Sequence, residues 1–281
     1  MHFRKSAAVA LAATAATVGA MTVSTSSAGA AAKPAPYHVV TIHVNNHRVI
    51  VGKNNKIGAG RTLFRVVTHQ GDHIINLGRF RKNYSLGQFA QDLPKAFSGD
   101  VPAINRVDDG TVFRGGSESR PGQMGQFSAD LAAGTYYFFD SNTNKFAQVK
   151  VVGKQVPRTA IPTSSLINLF TYGFGPQGRI SHDGRTLIRN RADQPHFIEF
   201  QRVKQSTTPV QVSRFFKHGA QGQPPWALKA NWGSGVLSPG QSSALALNLP
   251  KGKYLVACFW PDFKTGMPHF FMGMWKLVQL T

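Results

Sequence analysis

The chain repeats itself, and that repetition limits what it can fold into. Gly60-Arg61-Thr62-Leu63 returns as Gly184-Arg185-Thr186-Leu187, Pro121-Gly122-Gln123 as Pro239-Gly240-Gln241, and Gly134-Thr135-Tyr136 as Gly252-Lys253-Tyr254. The last two matches share an offset of 118 positions. Self-similarity on this scale means two structural units built to one plan.

Each unit reads as all-β. Short runs rich in Val, Ile, Phe and Tyr are separated by turn residues, which predicts strands at 39–44, 48–51, 62–68, 74–80, 125–131, 135–140 and 146–152 in the first half. The second half predicts strands at 166–174, 186–190, 196–203, 242–249, 254–259 and 274–280. One helical segment interrupts each series. Leu86, Phe89, Ala90, Leu93 and Phe97 fall at helical spacing behind Ser85 as N-cap, and a short helix is expected over Pro209 to Lys217. Gly153 to Ser165, with Pro157, Pro162 and little apolar content, is the best boundary between the halves. The expected organisation is therefore 1–30 as leader, 31–153 as first domain and 154–281 as second.

The leader reads as a secretory signal. Arg4 and Lys5 precede a small-residue apolar run from Ala7 to Val23, and Ala28-Gly29-Ala30 resembles a cleavage site. The expected location is thus secreted or associated with the cell surface. A single cysteine in such a chain cannot form an internal disulfide. Its thiol must be buried, paired between chains or bound to metal.

The formal net charge is +20, and removal of Arg4 and Lys5 leaves about +18. Such an excess favours anionic surroundings, such as wall polymers, a membrane surface or acidic proteins. The bases are scattered, with no run longer than Arg79-Phe80-Arg81-Lys82, so the stripe of a nucleic-acid reader is missing and nucleic acid is not the expected partner.

The chemistry concentrates near the C-terminus. Cys258 is followed by Met267, His269, Met272 and Met274 in a loop rich in Gly and Pro. Thiolate, imidazole and thioether together suit copper. The first half has Asp140 at the position of Cys258 and neither His nor Met in its following hairpin, although His73 lies near the position of His196. The bland alternative is a buried apolar cysteine among ordinary core methionines.

Gln194-Pro195-His196-Phe197-Ile198-Glu199-Phe200, the Pro-Gly-Gln turn, Gly252-Lys253-Tyr254-Leu255-Val256-Ala257-Cys258 and the closing Gly-Met-Pro-His and Gly-Met resemble the cupredoxins, of plastocyanin/azurin type, and more closely the secreted bacterial cupredoxin-like domains. The resemblance covers about Leu166 to Leu280 and, more faintly, the first half. It implies tandem Greek-key β-sandwiches and one type 1 copper for electron transfer or copper handling. His196, Cys258 and His269 would lie in the trigonal plane with Met274 as the long axial ligand, Met274 being preferred to Met272 because His-x-x-x-Gly-Met matches the family loop. One departure stands out: ten residues separate Cys258 from His269, and the inserted Asp262 is expected either to bond backbone amides or to alter access to the metal. A His269 edge at the surface, between Phe270 and Phe271, would suit docking of a redox partner.

Oxidase or nitrite-reductase turnover needs a second copper centre of several histidines, and the chain has no His-x-His pair. Gly173-Phe174-Gly175-Pro176-Gln177-Gly178 fits GxGxxG without the strand-to-helix context of a dinucleotide site. The rival reading is a metal-free basic surface protein that adheres to anionic polymers.

Overall fold

Alternating branched and aromatic residues form strands in both halves, and the computed structural model describes them over residues 36–52, 54–218 and 222–281. The expected leader, 1–30, lies outside the described residues. Among those residues no helix is long and apolar enough to cross a membrane.

The first half runs β1 (His38–Asn45), β2 (Arg48–Val51), β3 (Lys56–Gly58), β4 (Gly60–Thr68), β5 (His73–Phe80), α1 (Leu86–Phe97) and α2 (Val101–Gly110). It closes with β6 (Thr111–Ser119), β7 (Gly125–Leu131), β8 (Gly134–Asp140) and β9 (Phe146–Val152). The second half runs β10 (Ser165–Phe170), β11 (Gly173–Gln177), β12 (Arg185–Asn190), β13 (Glu199–Val203) and α3 (Pro209–Lys217). It ends with β14 (Ala227–Gly233), β15 (Ser242–Ala246), β16 (Gly252–Ala257) and β17 (Trp275–Leu280).

The two halves share one strand order. Sheet order β2-β1-β4-β7 in the first half matches β11-β10-β12-β15 in the second, and β1 pairs parallel to β4 as β10 does to β12. The opposing sheets are β3-β9-β8-β5-β6 and β14-β13-β16-β17. Each half is thus a two-sheet sandwich of the cupredoxin-like kind, with apolar residues facing inward at alternate positions.

Both helices foreseen at the two insertions form where their caps dictate. Ser85 and Gln88 make a reciprocal capping box at α1, and Thr208 and Gln211 do the same at α3, with Pro209 opening the helix. The first insertion is larger than expected: α2 follows α1 directly, capped by Asp100. Phe97, which the spacing puts on the buried face of α1, is 53% exposed and sets its ring edge on Trp260 of the other half, 5.5 Å between centroids. The single strand expected over 166–174 is a hairpin, β10 and β11, turning at Tyr172, whose φ is +56°. The strand expected to start at His196 begins its ladder at Glu199, and His196 itself pairs with Leu237 through 3.0 and 2.8 Å backbone bonds.

The halves share a core rather than touching at a polar seam. One buried cluster contains Phe64, Phe127 and Phe138 of the first half with Trp232, Leu245 and Trp260 of the second. Buried bonds cross between them, including Val236 N–H to Asn76 Oδ1 (3.0 Å), Gly233 N–H to Glu118 Oε2 (2.8 Å) and Ala244 N–H to Ser128 Oγ (2.7 Å). A buried amide without such a partner costs about 1–3 kcal/mol, so these bonds fix the mutual register of the halves.

Candidate metal centre

The strand pairing of the second half brings its chemistry to one end of the sandwich. Glu199 of β13 pairs with Ala257 of β16, so His196, just before β13, and Cys258, just after β16, project at the same end. Trp275 of β17 also pairs with Ala257, which returns the C-terminal side of the loop to the same place. The loop itself is closed by its own backbone. Asp262 N–H bonds Met267 O (2.9 Å), Gly266 N–H bonds Asp262 O (2.9 Å), and His269 N–H bonds Trp260 O (2.9 Å). The ten intervening residues therefore fold as a hairpin on the side, and their ends meet.

Three donors converge. Cys258 Sγ lies 3.6 Å from His196 Nδ1 and 3.8 Å from His269 Nδ1, and the two nitrogens are 3.0 Å apart. A circle through these atoms has a radius of about 2.0 Å, close to the bond length of a metal to imidazole and thiolate. All three residues are fully buried, and they are the only group of three or more His, Cys, Asp or Glu poised to hold an ion among the described residues.

Of the three methionines, only Met274 is buried with them. Its N–H bonds His269 O at 3.0 Å and its carbonyl accepts Cys258 N–H at 3.2 Å, so its backbone is tied to two of the three donors. Met272 is half-buried and its sulfur accepts the Thr265 hydroxyl at 3.9 Å, while Met267 is exposed.

Burial sets the protonation of the site. It pushes the His196 imidazole down to about 3, with His269 adding to the effect. It pushes His269 down to about 4 against the opposing pull of Asp262 and Asp193. The Cys258 thiol is pushed up to about 12, also by burial. Both imidazoles are thus neutral at neutral pH with lone pairs available, and the thiol needs a cation to ionise.

The outer edges of the rings differ. His269 Nε2 meets Gln194 Oε1 at 3.1 Å, and the Tyr172 ring stands edge-on to it at 5.5 Å. His196 Nε2 is buried without a partner. The His269 edge anticipated at the surface is therefore sealed, because the amide of Gln194 occupies the place a solvent molecule or partner would take. Phe270 is buried as well, and only Phe271 of the flanking pair is exposed.

The first half covers the loop and, among its described residues, has no equivalent site. Trp260 sits between Phe97 and Phe113 and donates its Nε1–H to Asp108 at 3.2 Å, while Asn105 Nδ2–H bonds Phe263 O at 3.3 Å. At the position matching the metal centre, His73 Nδ1 bonds Asp140 Oδ2 at 2.6 Å and His73 Nε2 bonds Gln70 O at 2.7 Å. Both ring nitrogens face oxygen acceptors of the same half, which occupy the positions a metal would need. The other described histidines of that half do not gather: His43 and His69 form an exposed stacked pair, 3.3 Å between nitrogens, and among the described residues no third ligand joins them.

Sequence reasoning singled out His196, Cys258, His269 and Met274, and noted Asp262 as a bonding group for backbone amides. It missed Gln194, Tyr172 and α2. Gln194 had a signal, since it lies two residues before His196 on the same approach to β13.

No protein-family model matches the sequence, and no curated protein matches it. Solved structures that it resembles include an auracyanin from Roseiflexus castenholzii, 17% identical over 41% of this chain and 94% of that one, with a TM-score of 0.27. Auracyanin A, a "blue" copper protein from Chloroflexus aurantiacus, is 13% identical over 41% of this chain and 98% of its own, with a TM-score of 0.30. A copper nitrite reductase from Nitrosomonas europaea is 11% identical over 88% and 94%, with a TM-score of 0.24. At such scores the likenesses carry no weight of their own, and what decides is the topology and the donor set of this chain. On those grounds the chain folds as two tandem β-sandwiches of cupredoxin-like topology, and the second sandwich presents a ligand set that fits one type 1 copper.

Proposed function

We propose that this protein is an exported one-electron carrier, with copper held by His196, Cys258 and His269 and with Met274 as the axial ligand. The observation that carries this reading is the closed, fully buried triangle of donors, whose dimensions match metal–ligand bonds before any ion is considered. Bound there, copper supplies exchange between Cu(II) and Cu(I). The chain's own contribution is to hold the donors still and dry. Each is buried, the loop that bears His269 is pinned by its backbone bonds, and α1 and α2 cover it. A sealed site of this kind favours passing electrons over binding a substrate, because nothing can enter the coordination sphere without displacing a ligand.

Since the His269 edge is covered, the redox partner docks elsewhere on the rim. Met267 and Phe271 are the exposed apolar residues of the ligand loop. The net charge of +20 favours an acidic partner or an anionic wall or membrane surface.

Absorption of the copper-loaded protein tests the assignment. An intense visible thiolate-to-copper band is expected, and it is lost in Cys258→Ser. Absence of the band in the wild type, or its survival in the variant, refutes the proposal. The metal-free adhesive reading, favoured by the same charge, predicts binding to anionic polymer that weakens steeply with salt and is unchanged by Cys258→Ser.

A further inference from the structure

We infer that Asp262 and Gln194 form a clamp that fixes the tautomer of His269, so that this ligand stands ready while His196 is the one that adapts when metal arrives. The inference rests on the copper reading for its purpose and on hydrogen-bond geometry for its content.

The clamp starts from a carboxylate that can only accept. Asp262 is 1% exposed, and its Oδ1 takes the N–H groups of Lys264 (3.1 Å) and Thr265 (2.8 Å) and the Thr265 hydroxyl (2.8 Å). Its Oδ2 takes the Tyr172 hydroxyl at 2.7 Å and Gln194 Nε2–H at 3.1 Å. Burial alone would raise this carboxyl, but its donors, Tyr172 and Thr265 foremost, outweigh it and hold the group at about 2. It is therefore ionised across the neutral range.

The ionised carboxylate decides how Gln194 points. Its Nε2 must face Asp262, and its Oε1 then accepts from Phe263 N–H (3.1 Å) as well as from His269 (3.1 Å). A flipped amide would set oxygen against carboxylate and N–H against N–H at the same time. Asp262 and Phe263 N–H together fix the orientation, which in a buried group of 2% exposure has no solvent alternative.

Because Gln194 Oε1 can only accept, His269 carries its proton on Nε2, and its Nδ1 lone pair faces the metal position. The consequence for His196 follows from the 3.0 Å contact between the two Nδ1 atoms. In the metal-free protein His269 Nδ1 is the acceptor, so His196 Nδ1–H is the donor. His196 Nε2 has no hydrogen-bond partner, so no neighbour on that edge fixes its tautomer. Metal binding then requires one proton to move from Nδ1 to Nε2 of His196, with no change at His269. Outer partners that fix a ligand in this way are typically worth 10- to 100-fold in metal affinity.

The test is long-range proton–nitrogen correlation NMR on the full chain with labelled histidine. In the metal-free wild type, His269 should show Nε2–H and His196 Nδ1–H. On addition of Zn(II), which has no paramagnetism, His196 should switch to Nε2–H while His269 keeps its pattern. In Asp262→Asn, whose amide offers both a donor and an acceptor, His269 should show mixed tautomers and Zn(II) affinity should fall about 10- to 100-fold. Gln194→Leu provides the same readout with a different removed group, should one variant fold poorly. His269 with its proton on Nδ1 in the wild type, or an unchanged pattern in folded Asp262→Asn or Gln194→Leu, overturns the clamp. Failure of the copper reading shows separately, as a missing visible band in copper-loaded wild type with the His269 tautomer intact.

Discussion

Two glycines of the ligand loop offer a direct measure of how firmly the first half covers the metal site. Gly266 and Gly273 both have left-handed backbone, with φ of +73° and +99°, so replacing either by alanine introduces backbone strain of about 1–2 kcal/mol. Their surroundings differ. A Cβ on Gly273 meets nothing within 4 Å, whereas a Cβ on Gly266 meets Gly99 O at 2.4 Å and Gly99 Cα at 3.1 Å. Gly99 joins α1 to α2, and backbone atoms there cannot turn aside as a side chain could. Overpacking of this kind adds about 1–3 kcal/mol. Gly273→Ala should therefore cost about 1–2 kcal/mol, and Gly266→Ala about 2–5 kcal/mol. Urea unfolding of the metal-free protein measures both through the midpoint at constant slope. In Gly266→Ala, amide exchange should also speed up at Phe263 and across α1 and α2, since the Asn105 and Trp260 bonds are the nearest to give way. Equal losses for the two variants would refute the packing of the α1–α2 corner on the loop, and with it the account of how the site is sealed.

Acid should weaken the metal-free protein through its two buried imidazoles. Their folded values, about 3 and about 4, lie below the unfolded 6.5, so the unfolded chain binds more protons in between. The stability they leave intact above pH 6.5 is lost as the pH falls toward 4, at about 2.7 kcal/mol per pH unit for the pair, which urea midpoints at pH 4.5 to 7.5 check. A flat profile would mean that the rings are hydrated. Met274→Leu should remove the axial thioether and change the visible spectrum and the reduction potential of copper-loaded protein. Met272→Leu should leave both unchanged; the reverse outcome transfers the axial role to Met272.

Much of the fold was legible because it is written locally. The capping boxes Ser85/Gln88 and Thr208/Gln211 placed α1 and α3, and the alternation of apolar residues placed most of the strands. Elements that rely on the other half were not legible. β6 reads Thr-Val-Phe-Arg-Gly-Gly-Ser-Glu-Ser, a loop by composition, yet it is held as a strand by β5 and bonds the second half through Gly115 N–H to Val236 O. α2 ends in Asp-Asp-Gly and looks like a turn. It is a helix because Ala103, Ile104 and Val107 find a core to enter.

The site divides in the same way. The residue types Cys, His and Met, their order and the repeat that lacks them are properties of the sequence, and these alone pointed to a soft metal and to one half of the molecule. Distances and surroundings are not sequence properties. Only the pairing of β13, β16 and β17 sets three donors on a circle of about 2.0 Å radius, from residues 62 and 11 positions from the cysteine. Only the packed chain shows His269 covered by Gln194, and the covering matters because a ring nitrogen that meets an acceptor instead of water has its proton assigned. Spacing along a chain can say which ligands are available; which atoms face each other, and which are shut away from solvent, depends on surfaces brought together from both halves.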